Sequence, residues 1–160
     1  MFLRVLRFVR LPLLMLLLYA LGRFWIGVKG VPYAPRGNAI FSVVGLTIIS
    51  SIYFGALSRK VGGFGWLGTI LVGFVVGLWA QLLVFALTLI SYSAHLTTSY
   101  YLNWDSLNLK EGAPPATMNQ LLAIRAGGLV TNVIIAIVAA LIGRLLGVLV
   151  SAPARDVGAG

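Results

Sequence analysis

Carboxylates are almost missing from this sequence. Asp105, Glu111 and Asp156 are the only acidic residues among 160, against twelve basic ones. Charged side chains make up 9% of the chain, where a globular domain carries about 25% to cover its water-facing surface. Cysteine is absent altogether, so disulfides, thiolate nucleophiles and cysteine-based metal sites are excluded. No carboxylate falls inside any long apolar run, which removes the commonest handle for proton- or cation-coupled transport. The chain also has no glycine-rich phosphate loop, no His-Glu-x-x-His zinc spacing and no Gly-x-Ser-x-Gly elbow. Enzyme chemistry is therefore not expected, no cofactor or metal is called for, and neither catalytic nor metal-ligating residues are assigned.

What fills the chain instead is apolar. Hydrophobic residues make up 60%, and they are gathered into runs long enough to read as lipid-facing helices. The pattern predicts an all-α polytopic membrane protein, a single bundle of four spans at about 11–28, 38–57, 66–92 and 120–150. Before the first span, Arg4, Arg7 and Arg10 recur every third residue among apolar neighbours, so a short N-terminal helix is expected along the membrane interface. Pro12 suits the first turn of the span that follows. A basic start and small residues at Ala20 and Gly22 also fit a signal peptide. The apolar stretch, however, continues through Phe24, Trp25, Ile26 and Val28, longer than such a segment needs, so a retained helix is expected.

Gly30, Pro32, Pro35 and Gly37 mark a loop with Tyr33 at interfacial depth, and Asn38 is the expected N-cap of the second helix. The short turn 58–65 makes the second and third helices antiparallel neighbours. The third run would reach roughly 40 Å, beyond a hydrocarbon core of about 30 Å, so tilt is expected. Residues 93–119 form the only sizeable extramembrane loop. Its Tyr100, Tyr101 and Trp104 suggest that it lies at headgroup level. Pro153 and the glycine- and alanine-rich end read as a disordered tail.

A net charge of +9 invites a nucleic-acid reading, but the charges sit singly or in pairs at the ends of apolar runs. That is the placement of anchors for anionic lipid headgroups, and Arg4, Arg7, Arg10, Arg59, Lys60 and Arg144 are the candidates. No basic face interleaved with stacking aromatics appears, so nucleic acid is not an expected partner. With both termini and the 58–65 turn on one side, that side holds Arg4, Arg7, Arg10, Arg59, Lys60, Arg144 and Arg155. The other side holds Arg23, Lys29, Arg36, Lys110 and Arg125. The positive-inside rule then places both termini in the cytoplasm, with a bacterial inner membrane as the expected home.

Two small-residue faces stand out: Thr69, Gly73 and Gly77 on the third helix, and Ala139, Gly143, Gly147 and Ser151 on the fourth. Small residues let backbones approach closely, either within the bundle or against another subunit. Gln81 and Asn132 lie at similar depth near the middle of their helices. An amide there needs a partner, because hydrocarbon offers none. A Gln81–Asn132 hydrogen bond is the economical expectation; a polar ligand or ion path joined by Thr47, Ser50, Ser51, Thr88 or Thr131 is the alternative. His95, the single histidine, is a candidate axial ligand for haem or chlorophyll, set against an ordinary polar surface role.

The stretch Ser58-Arg59-Lys60-Val61-Gly62-Gly63-Phe64-Gly65-Trp66-Leu67-Gly68, with Leu71-Val72-Gly73 after it, resembles the central hairpin of several families of small bacterial four-helix membrane proteins. The resemblance implies topology and assigns no activity. Three functions follow as expectations. The first is a structural or accessory subunit, packing by its small-residue faces against other membrane subunits or its own copies. The second is a small transporter or channel with a polar path near Gln81 and Asn132, and the third a pigment-associated subunit using His95.

Overall fold

The computed structural model describes residues 1–33 and 41–149. The described residues are helical without strands: α1 (Phe2–Phe8), α2 (Arg10–Val28), α3 (Val43–Lys60), α4 (Trp66–Ser93) and α5 (Met118–Leu146), with single 3-10 turns at Asp105–Leu107 and Gly147–Leu149. Asn38, Arg36, Ser151, Pro153 and Arg155 lie outside the described residues. Three helical stretches are long and apolar enough to cross a membrane: Arg10–Val28, Trp66–Ser93 and Met118–Leu149. The chain is thus a helical membrane protein. α3 falls short of them because Thr47, Ser50, Ser51 and Ser58 stud its buried face and Arg59-Lys60 closes it.

The break between α1 and α2 falls at Val9. Pro12 has no N–H to return to the Phe8 carbonyl, and its ring crowds that oxygen, so the helix bends one turn before the proline. The two segments nevertheless share one buried face. Val5, Val9, Pro12, Leu16, Ala20, Arg23 and Gly27 follow at helical spacing, while Arg4, Arg7 and Arg10 point outward. Phe8 locks this end edge-on to Phe54 and Phe64, with centroids 5.4 and 5.3 Å apart, and the Trp79 indole N–H donates to the Leu13 carbonyl at 2.9 Å.

The second helix begins later than its sequence suggests. α3 starts at Val43, where the Ser42 hydroxyl accepts from the Gly45 N–H at 3.1 Å; a serine hydroxyl satisfies one of the orphan first-turn donors. α5 opens on a capping box, Thr117 with Gln120.

α3, α4 and α5 meet through glycine. A β-carbon at Gly55 would run into the Ala140 carbonyl, and one at Gly143 into the Ile52 carbonyl. One at Gly147 would lie 2.5 Å from the Ala56 carbonyl oxygen. On the other side of α5, β-carbons at Gly73 and Gly77 would lie 2.6 Å from Ala136 O and 2.7 Å from Ala136 Cβ. Such close backbone approach gains dispersion contacts that larger side chains would prevent. These contacts cluster in the half of the bundle that holds the 61–65 turn. Toward the other end, which carries the 94–117 loop, α4 and α5 stay joined through Arg125 and Thr88.

Candidate functional site

In the half of the bundle nearer the 94–117 loop lies a cavity of about 320 Å³. Gln81 and Val84 of α4 form one wall, and Ile124, Arg125, Gly128 and Asn132 of α5 the opposite one. Ser42, Val43 and Val44 bring the start of α3 to it, Arg23 enters from α2, and Tyr33, Tyr101, Ser106 and Asn108 close the top. Its volume equals roughly ten waters at about 30 Å³ each, and it falls at the small end of the range for ligand pockets, roughly 300–1,000 Å³.

Gln81 and Asn132 share this cavity without bonding to each other. The Asn132 amide donates to the Gly128 carbonyl of its own helix at 2.8 Å. Gln81 is only 6% exposed, and no described residue hydrogen-bonds its side chain. The expected bond between them is therefore not formed; the Asn132 amide turns to its own helix instead. The hydroxyls expected to join them do not line it either. Thr47 and Thr88 donate to their own helix at Val43 O and Val84 O, both at 2.7 Å. Thr131 is exposed and bonds to Gly127 O, and Ser50 and Ser51 are buried elsewhere on α3, Ser51 with its hydroxyl unpartnered.

The cavity's roof is held by two arginines that flank apolar runs in the sequence, Arg125 and Arg23. Arg125 donates through Nε to Thr88 Oγ1 at 2.9 Å, through Nη1 to Ser106 O at 3.2 Å, and through Nη2 to Tyr101 O at 2.7 Å and Ser106 Oγ at 3.2 Å. Each acceptor is a neutral oxygen. Arg23, 8% exposed, donates to the Tyr33 hydroxyl at 3.1 Å and lies over the Tyr33 and Tyr100 rings. Tyr100 and Tyr101 donate in turn to Pro32 O at 3.2 Å and Ala20 O at 3.0 Å. The loop is therefore folded over the helix ends. Tyr100 and Tyr101 are 1% and 2% exposed, and each hydroxyl finds a backbone acceptor inside. Burial pushes the Tyr101 phenol well above its usual range, against the lowering effect of Arg23 and Arg125. Burial raises Tyr33 too, with Arg23 opposing it and Asp105 reinforcing it.

The remaining sequence candidates lie elsewhere. Thr69, Gly73, Gly77, Ala139, Gly143 and Gly147 face neighbouring helices of the same bundle. Gly55 belongs with them, and its Ser51-x-x-x-Gly55 spacing was the available signal. Arg144 turns inward instead of toward headgroups: Nη1 donates to Thr69 Oγ1 at 2.8 Å and Phe64 O at 2.9 Å, beneath a guanidinium–Trp66 contact of 4.6 Å. Arg7, Arg10, Arg59 and Lys60 stay exposed, as does Arg4, which also reaches the Gly62 carbonyl. His95 borders a separate, apolar hollow of about 440 Å³ with Tyr92, Trp104, Leu107 and Pro114. No group of three metal-ligating side chains occurs among the described residues.

No family model matches this chain, and no curated protein or solved structure matches it either.

Proposed function

We propose that this chain is a small membrane carrier or receptor that holds a hydrophilic solute in the cavity between α4 and α5. The observation that carries this reading is Gln81: a side chain 6% exposed, near mid-helix, on the cavity wall and without a hydrogen-bond partner among the described residues. An unsatisfied buried amide costs about 1–3 kcal/mol, a cost that a bound polar solute or water removes. α3 is read as the fourth spanning helix: its 18 residues reach roughly 27 Å, and its polar face is shielded by α4 and α5. Both termini are placed in the cytoplasm of a bacterial inner membrane on the distribution of basic residues, so the cavity opens away from the cytoplasm.

The glycine contacts seal the bundle below Gln81 and Asn132. The site is one-ended, which favours a carrier in one of its states, or a receptor, over an open channel. Proteoliposome uptake and thermal-shift measurements with a panel of sugars, amino acids and small organic and inorganic anions test the reading. Asn132→Leu should abolish the response of whichever solute acts while leaving the helical spectrum unchanged. Failure of the whole panel on well-folded protein would remove the proposal.

The accessory-subunit reading has a different support. The glycine faces are used inside the bundle, but Ala123, Gly127 and Thr131 form a small-residue stripe left exposed on α5, and a β-carbon at Gly127 would meet nothing. A second copy or another membrane subunit would be detected there by crosslinking in native membranes.

A further inference from the structure

The cavity carries charge of one sign. Arg23 and Arg125 both line it, and no carboxylate does among the described residues. Asp105, in the loop, acts on the Tyr33 hydroxyl that Arg23 also meets. The four bonds of Arg125 all end on neutral oxygens. Buried charges are ordinarily paired, and truncating one partner of a buried pair is expensive because it leaves the other charge uncompensated.

Besides the amide oxygens of Gln81, Asn108 and Asn132, the lining still has protons to offer. The Ser42 oxygen already accepts from Gly45 N–H and the Ser106 oxygen from Arg125, which leaves each hydroxyl a hydrogen to donate. The Val43 and Val44 N–H groups, at the start of α3 and on the cavity wall, have no partner among the described residues. They carry the positive end of an 18-residue helix. The Gln81 amide, without a partner among the described residues, lines the same cavity. Carboxylate and phosphate oxygens only accept hydrogen bonds, so donors surrounding a net positive space match them and mismatch a cation. A helix N-terminus and guanidinium groups are the recurring means of holding such groups.

Resting on the reading of the cavity as a solute site, we infer that its ligand is an oxyanion. A carboxylate or phosphate group would sit between Arg125, Arg23, the α3 N-terminus and Gln81. That group can belong to a free solute or to a lipid headgroup reaching in from the membrane surface.

The test uses the full chain in neutral detergent, melted while its four tryptophans report unfolding. Sodium phosphate and sodium acetate are titrated at constant ionic strength made up with sodium chloride, with glucose as the neutral comparison. A saturable rise in Tm with either oxyanion is expected. Gln81→Glu, which places a like charge in the cavity, should weaken it at least about tenfold. Asn132→Asp does the same from the other wall if Gln81→Glu does not fold.

No rise with either oxyanion, or an undiminished rise in the charge variants, overturns the inference. Glucose acting where the oxyanions fail overturns it but leaves the solute site standing. Silence from every member of the wider panel removes both. Nanodiscs separate the sources. Phosphatidylglycerol that raises Tm and abolishes the phosphate effect identifies a headgroup; an unchanged phosphate effect in phosphatidylcholine and phosphatidylglycerol identifies a free anion. Either result upholds the oxyanion chemistry.

Discussion

Gln81 of α4 and Asn132 of α5 line one cavity without bonding to each other. That arrangement makes a polar interior out of what would otherwise be a cross-helix tether. The glycine contacts further along the same helices hold the backbones together at the other end of the bundle.

The first expectation concerns those contacts. Gly143→Leu should destabilise the bundle by about 3 kcal/mol, the upper range for overpacking a close interface, because the new side chain meets the Ile52 carbonyl, backbone that cannot rotate away. Gly127→Leu is the control on the same helix and should change little. Thermal melts in one detergent check both.

Arg125 holds the loop down, and its loss should show there first. Arg125→Met removes four hydrogen bonds from the loop and α4. Charged bonds of this kind are worth about 1.5–3 kcal/mol each before the desolvation relieved is set against them, so a net loss of about 2 kcal/mol is expected. Limited proteolysis should then cut between residues 94 and 117 in the variant and not in the parent chain.

Alkali should weaken the fold through Tyr101. Its folded pKa is raised above the ordinary value of 10, so the unfolded chain gives up this proton first. The contribution is complete below pH 10 and is lost as pH rises above it, since proton release then favours the unfolded state. Tyr101→Phe should flatten that fall in stability, while costing about 1 kcal/mol at neutral pH for the lost bond to Ala20 O. Melts at pH 7 and pH 11 separate the two effects.

Much of the fold was legible because apolar runs and their breakers are local signals. α4 matches its run within a residue, and Pro12 marks the start of α2 together with the bend before it. The start of α3 was not legible, since Asn38 and Ser42 are both good caps and the choice between them rests on tertiary placement. The site was half legible. Gln81 and Asn132 declared themselves as amides in apolar surroundings, but that they line one cavity without bonding rests on tertiary packing, which no local pattern encodes. Arg125 and Arg144 looked like headgroup anchors because their positions flank an apolar core. Their neutral inward partners, Tyr101 O and Ser106 for one and Thr69 and Phe64 O for the other, come from distant sequence.

The absence of cysteine allows a direct test of whether water reaches Gln81. Gln81→Cys gives the chain a single thiol, which a hydrophilic, membrane-impermeant reagent can address in native membranes. Labelling should occur from the side that carries the 94–117 loop and be blocked by a bound solute, whereas Val76→Cys, in the sealed part of the bundle, and Leu82→Cys, on the outer face, should stay unreacted. A thiol at position 81 that resists the reagent, in protein whose helical spectrum is intact, would contradict the existence of a solute site.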